Sequence, residues 1–337
     1  MTVRNNDVSR FCDQKESVRG STCQEGISIV RTDGFAVSNN LVHDAPQGNG
    51  DHAGGGEGID AKEGSKNGVI AYNQVCNLPQ LGIYADAWDK LTENVDVYGN
   101  RVYNTSAGLV VSSENGGTVR NVEIRDNLVY DTGYHGIEIS NTSVNGSRQR
   151  IHIYNNTVVH NGYAANKPAW CSLYGCNDWG YGIRINTNNI SDISIHDNIV
   201  VNNHSSQIEW NGDPAGAVAV NANVLYPRTS FSWANEFYGT NPIEADPLFV
   251  NAPANDFQLQ SGSPAIGVGV GGDPLDRDVA GVQRPSSPID LGAYTYTGPR
   301  TPRLLPRQAA ATPATAPGRP NWLVEIHTRT CGKGRFR

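Results

Sequence analysis

Glu57, Asp60, Lys62 and Glu63 fall in one short stretch, Glu57-Gly58-Ile59-Asp60-Ala61-Lys62-Glu63. Carboxylates beside an amine allow three outcomes. They can offer several oxygens to a hard cation such as Ca²⁺, exchange protons as general acid and base, or form a solvated ion pair of little consequence. More groups of the same kind follow: Tyr84, Asp86, Trp88 and Asp89, then Ser112 and Glu114, then His135, Glu138 and Ser140, then Arg184 and Asn186. Their spread along the chain is too wide for any local element. They can act together only if the fold stacks them.

A repeat supplies that stacking. Gly-apolar-x-apolar occurs at Gly26, Gly58, Gly82, Gly108, Gly136 and Gly182, with spacings of 32, 24, 26, 28 and 46 residues. Each copy is followed by a strand-like run that ends on an asparagine, at Asn40, Asn73, Asn100, Asn127, Asn156, Asn198 and Asn223. A unit of this size cannot bury its own core, so successive units must stack as a solenoid. Because the unit is β, the expectation is an all-β, right-handed parallel β-helix over residues 26–226. The hand follows from the preference of parallel crossovers.

Side chains alternate along a strand. Ile59/Ala61, Ile83/Ala85, Leu109/Val111, Ile137/Ile139 and Ile183/Ile185 therefore point inward. Two outward columns remain. The first reads Ser28, Asp60, Tyr84, Val110, Glu138, Arg184, and the second Val30, Lys62, Asp86, Ser112, Ser140, Asn186. The repeated asparagines are expected at coil corners, in the left-handed backbone region, bonded to one another from coil to coil. Insertions at residues 44–56 and 164–180 precede the Gly-Ile strands and fall at one edge of the columns.

Composition narrows the classes. A net charge of −7 gives no basic stripe for nucleic acid. No apolar run approaches a membrane span, and Met1–Arg10 carries no signal-peptide core. Cys12/Cys23 and Cys171/Cys176 are close pairs that could close small loops. At least one disulfide, a secreted or extracytoplasmic setting and a monomer are expected. Residues 1–25 form an N-terminal cap or incomplete coil, residues 227–297 a C-terminal capping segment and residues 298–337 a Pro/Ala/Arg-rich disordered tail.

Two resemblances carry further expectations. Asp246-Pro-Leu-Phe-Val-Asn251, Ser261-Gly-Ser-Pro-Ala-Ile266 and Asp290-Leu-Gly-Ala-Tyr294 resemble the choice-of-anchor Q type segment of secreted bacterial β-helix proteins. That likeness implies a cover for the last coil. Glu57-Gly-Ile-Asp-Ala-Lys62, with Gly64 and Asn67, resembles the Asp-Gly-Phe-Ala-x-Lys region of calcium-dependent pectate lyases of polysaccharide lyase family nine. It also resembles the Glu-x-x-x-x-Lys motif of alginate and chondroitin B lyases, which implies Glu57 as a Ca²⁺ ligand and Lys62 as the base. The pectate-lyase calcium motif Asp-Asp-Gly-x-Asp is not intact, Asp86-Ala-Trp-Asp89 being the nearest stretch, and the second basic residue of the alginate-lyase pattern has no match.

The reading is thus Ca²⁺-dependent β-elimination of an acidic polysaccharide. Lys62 is the base, and Glu57, Asp60, Asp86 and Asp89 are Ca²⁺ ligands. Tyr84, Trp88 and Trp179 are sugar platforms, Arg184 meets a substrate carboxylate at a distant subsite, and His135 and Asn186 touch substrate. Two alternatives stand beside it. One is a polygalacturonase-like hydrolase that uses Asp60, Asp86 and Glu138. The other is a binding module in which Tyr84, Trp88, Tyr134, Trp179 and Trp210 stack on sugar rings without cleaving them.

Overall fold

The computed structural model describes residues 1–11, 25–45, 56–141, 144–163, 180–210, 212, 216–231, 234–271, 277–299 and 331. Three parallel sheets run the length of a β-solenoid of about six turns, and each coil contributes one short strand to each sheet. Sheet A begins at Thr2–Arg4 and ends at Val218–Asn221, and sheet B begins at Asp7–Ser9 and ends at Val224–Tyr226. Sheet C, which carries the outward columns, consists of Ile27–Val30, Ile59–Lys62, Ile83–Asp86, Leu109–Ser112, Ile137–Ile139, Tyr181–Ile185 and Ser206–Trp210.

The core is one continuous aliphatic stack. The inward residues Ile59, Ala61, Ile83, Leu109, Ile137, Ile183 and Ile208 are all essentially inaccessible. The repeated glycine stands at the start of every sheet C strand but the last, where Gln207 holds the position, because coils approach closely there. A Cβ on Gly58 would lie 2.3 Å from the carbonyl oxygen of Gly82, and one on Gly108 2.4 Å from that of Gly136. Any other residue would push the rungs apart.

Between sheets A and B the asparagines form the expected ladder, with Asn6 added at its start. Each donates its backbone N–H and its Nδ2 to the Oδ1 of the next, as Asn100 does to Asn127 at 3.0 Å through both groups. The left-handed corner residue, however, is the one before the ladder asparagine. Asn39, Tyr72, Gly99, Asp126, Asn155, Asp197 and Ala222 carry the positive φ. The ladder asparagine bonds neighbours while its predecessor makes the turn. The short sheet B strand after each asparagine is too brief for alternation to reveal it in sequence.

The C-terminal residues differ from expectation in place. Residues 234–243 close the last coil, where Thr240 and Ile243 bridge to Asn221 and Val224, and Phe237 and Tyr238 pack on the core. The segment that follows lies along the outer side of sheet B instead. Phe249, Phe257, Leu259, Leu291, Ala293 and Tyr294 pack on Leu128, Tyr130, Val159, Ile199 and Val201. Arg284 anchors it, 2.7 Å from the buried Asp126. Arg125 is buried, 3.2 Å from Asp96 and over the ring of Tyr98.

A disulfide joins Cys76 to Cys331. The expected pairs Cys12/Cys23 and Cys171/Cys176 lie outside the described residues, as do residues 300–330 and 332–337 of the tail expected to be disordered. Among the described residues no helix is long and apolar enough to cross a membrane.

Asn127→Ala tests the ladder. It removes the acceptor for the buried N–H of Asn100 and the donor to the carbonyl of Val97. Each orphaned group costs about 1–3 kcal/mol, so urea denaturation should show a loss of roughly 3 kcal/mol or more. Ser191→Ala, on the exposed side of sheet A, should change stability by no more than about 0.5 kcal/mol. Equal effects would deny the ladder its role.

Candidate functional site

The register places the outward columns of sheet C as the alternation requires. Ser28, Asp60, Tyr84, Val110, Glu138, Arg184 and Glu209 are consecutive partners. In the second column Val30 partners Lys62, and Asp86 partners Ser112. A third column, unread in sequence, is made by the residues just before the glycines: Glu25, Glu57, Leu81, Ala107, His135 and Tyr181. The backbone N–H of each following glycine donates to the next member of the column, as Gly26 does to Glu57 at 2.8 Å. Most of this face is buried. Its open members are Ser28 and Val30 on the first rung and Trp88, 42% exposed, while Lys62 keeps 18% of its side chain exposed.

Two charged clusters occupy the face, separated by an apolar band of Leu81, Tyr84, Ala107 and Val110. The first contains Glu25, Glu57, Asp60 and Lys62. The ammonium of Lys62 contacts the carboxylate of Glu25 and stands 3.7 Å from Asp60 Oδ2. Burial works to lower the Lys62 pKa, but Glu25 and Asp60 outweigh it and the pKa is raised, so the side chain is a firm cation in this arrangement. Burial drives Glu57 up to about 7. Asp60, only 1% exposed, is pushed well above the usual carboxylate range by burial and by the charges of Glu57 and Glu25. Among the described residues the oxygens of Asp60 meet no hydrogen-bond donor except the proton they can share with the Glu57 carboxyl. Glu57 and Asp60 face each other as two acceptors, and only a shared proton or a cation can join them.

A divalent cation fits these residues. Oxygens of Glu25, Glu57 and Asp60 all lie within 4.8 Å of one another. Oxygen ligands sit about 2.3–2.6 Å from Ca²⁺, so ligands on opposite sides of one ion are about 5 Å apart. The fit is to Glu57 and Asp60 of the expected set, joined by Glu25. Asp86 and Asp89 are not in the group. Asp89 is exposed and held at 2.7 Å by Lys90, whose hydrogen bond lowers its pKa. Asp86 accepts the Trp88 N–H at 2.9 Å and is raised to about 6 by burial.

The second cluster is His135, Glu138, Arg184 and Glu209. Arg184 donates from Nε to Glu209 at 2.8 Å and stands 3.6 Å from Glu138. Its guanidinium is thus already engaged, and a substrate carboxylate would have to displace a glutamate. His135 is fully buried between the rings of Tyr134 and Tyr181, accepts the Tyr181 N–H at Nδ1, and faces Arg184 at 3.3 Å. Burial, aided by the charge of Arg184, pushes its pKa well down, so it is neutral. Asn186 is half-buried and hydrogen-bonds Glu138.

Several expected sugar platforms are placed otherwise. Tyr84 is buried in the apolar band with its hydroxyl donated to Glu114 at 2.6 Å. Tyr134 is buried as well. Trp210 points inward and meets Phe237 edge-on. Trp179 lies outside the described residues. Trp88 alone of the described candidates keeps an exposed ring. Glu25 was missed, although it precedes Gly26 as Glu57 precedes Gly58, and that shared position is the signal that would have found it. Glu209 follows the last glycine repeat, beyond the reach of the motif. Arg148, also missed, is fully buried below Ser112 and Ser140.

The family described as "Right handed beta helix region" matches residues 1–158, in agreement with the expected hand. No curated protein matches the sequence. Among solved structures, a chain titled "Glycoside hydrolase" is similar at 13% identity and a TM-score of 0.33, covering 72% of this chain and 41% of its own length. The enzymatically active domain of Bacteriophage CBA120 tailspike protein 2 is similar at 14% identity and a TM-score of 0.33, covering 66% of this chain and 42% of its own. This chain thus spans about two fifths of the solved chains it matches. Likeness of this degree says nothing about chemistry.

Glu138 offers a test of the burial. Burial raises its pKa from 4.5 to about 7, with Arg184 opposing and Glu209 reinforcing the shift. A carboxyl that holds its proton more tightly when folded stabilises the fold at low pH. That contribution is lost as pH climbs from 4.5 to about 7. Thermal or urea unfolding of Glu138→Gln should therefore lose less stability than wild type over this window. The difference should reach on the order of 3 kcal/mol at most. Parallel curves would show Glu138 to be solvated.

Proposed function

We propose that the chain is a polysaccharide-acting protein that cleaves an acidic glycan by β-elimination at the Glu25–Glu57–Asp60–Lys62 end of sheet C. One observation carries the reading. Register brings three carboxylates and a lysine into one pocket, with Asp86 and the exposed Trp88 one rung on. The resemblance of Glu57-Gly-Ile-Asp-Ala-Lys62 to the lyase motifs points the same way. The cleaved polymer would be met outside the cytoplasm, and the Cys76–Cys331 bridge suits an oxidising setting.

The residues divide the work as follows. Trp88 gives a sugar ring an exposed apolar face. Glu25, Glu57 and Asp60 would hold Ca²⁺. That ion, when bound, would neutralise the uronate carboxylate and steady the charge that develops on it. Lys62, once freed of its carboxylate partners and having passed its own extra proton to Asp86, takes the C5 proton; the C5–H electrons form the C4=C5 bond and the C4–O bond breaks. The leaving oxygen needs a proton, and Asp86, which holds one up to about pH 6, stands on the next rung to give it. Lys62 as described is a cation, so its service as base depends on its partners being occupied elsewhere.

Incubation with polygalacturonate or alginate plus Ca²⁺ should raise the ultraviolet absorbance of new unsaturated ends. Lys62→Ala should reduce that rate by about 10²-fold or more, with folding intact by circular dichroism. New reducing ends without absorbance would replace elimination with hydrolysis. Retained turnover in Lys62→Ala would remove Lys62 as base.

A further inference from the structure

We propose that the ammonium of Lys62 is a tethered occupant of the divalent-cation site formed by Glu25, Glu57 and Asp60, and that an entering metal moves it one rung along the face to Asp86. The inference rests on the cation-assisted reading of this pocket and concerns the glycan-free chain; elimination further needs the ammonium to pass a proton to the Asp86 carboxylate it meets there, which leaves the amine and the acid that the reaction uses.

Three observations meet here. First, Asp60 is 1% exposed, and among the described residues its oxygens meet no hydrogen-bond donor except the proton they can share with the Glu57 carboxyl. Such a buried, unsatisfied carboxylate calls for a ligand with positive charge. Its oxygen is one of the three that lie within 4.8 Å of one another. Second, the cation now nearest is the Lys62 ammonium, in contact with Glu25 yet 3.7 Å from Asp60. That distance gives Asp60 charge compensation without a hydrogen bond. One ammonium thus faces three carboxylates and satisfies one of them well. A divalent ion brings twice the charge and can contact all three directly.

Third, a second berth exists for the lysine. Asp86 continues the second column one rung beyond Lys62, about 4.8 Å along the stack. Its Oδ2 accepts the Trp88 N–H, while its buried Oδ1 has no hydrogen bond. Lysine is a compact charge on a flexible four-carbon stem, and with 18% of the side chain exposed Lys62 has room to swing. Glu25 and Glu57 have less freedom. Their side chains are shorter than that of lysine, and only 5% of the Glu25 side chain is exposed. The carboxylates therefore stay in place while the ammonium moves.

Calorimetric titration of the full chain with Ca²⁺, in the absence of glycan, tests this. Lys62→Met should bind Ca²⁺ about tenfold tighter than wild type, the order expected from lifting one partly screened charge contact. Lys62→Arg keeps a tethered cation and should bind no tighter. Glu25→Gln should bind at least about tenfold more weakly. Asp86→Asn should weaken binding when Lys62 is present but leave it unchanged in the Lys62→Met background, a coupling that a double-mutant cycle reads directly. Lys62→Gln serves if Lys62→Met fails to fold. Ca²⁺ affinity that is unchanged or lower in Lys62→Met overturns the proposal, as does absence of binding to both wild type and Lys62→Met. A chain that shows the tightening and the coupling but cleaves no glycan loses only the eliminative function.

Discussion

Successive coils of this solenoid are held in a single register by two close contacts per turn. At the entry to sheet C, the glycine column lets each backbone sit against the carbonyl of the next coil. At the corner between sheets A and B, each asparagine donates two hydrogen bonds, one from its backbone N–H and one from its side-chain amide, to the side-chain oxygen of the asparagine on the next coil, inside the protein, where a lost partner is costly. A slip of one residue would turn every sheet C strand over, placing Asp60 and Glu138 in the core and Ile59 and Ile137 outside. Everything on the outward face depends on that register.

The face it builds is unusual for being both charged and nearly closed. Carboxylates removed from water either keep their protons or find cations. Both remedies are present. Glu57 and Glu138 are pushed up to about 7, while Arg184 sits between Glu138 and Glu209. The two clusters differ in how complete the remedy is. Around Arg184, Glu209 is hydrogen-bonded at 2.8 Å, and Glu138, 3.6 Å away, also has a hydrogen bond from Asn186. Around Lys62, three carboxylates share one ammonium, and among the described residues Asp60 meets no donor except the proton it can share with Glu57. The apolar band of Tyr84, Ala107 and Val110 keeps the clusters apart. That imbalance is the ground on which a cation is proposed for the first cluster.

Much of this was legible from the chain alone. The glycine spacing gave the coils, and alternation gave the columns, so Asp60, Lys62, Glu138 and Arg184 were placed on one face correctly. What sequence could not show was depth. Tyr84 reads as a sugar platform until its neighbours on the following coil prove to be Ala107 and Val110, small enough to let the ring lie flat and buried. Asp89 reads as a ligand because it is near Asp86 in sequence, yet the turn at Trp88 sends it to solvent and to Lys90. Glu25 shares its position with Glu57, but its partner coil is separated by a long insertion that hid the equivalence. The Cys76–Cys331 bridge spans 255 residues, a separation at which pairing has no local signature. The placement of Phe249, Phe257, Leu291 and Tyr294 on sheet B depends on side chains such as Leu128 and Ile199, many coils away in sequence.

The central claim is that stacked rungs create one cation pocket from Glu25, Glu57 and Asp60, with Lys62 as its movable occupant. Diffraction from crystals soaked in Mn²⁺, read as an anomalous difference map, addresses it most directly. The account predicts a peak within about 2.6 Å of oxygens from all three carboxylates, with the Lys62 ammonium turned to Asp86. A pocket without a peak at saturating Mn²⁺, and Lys62 still seated on Glu25, would contradict it.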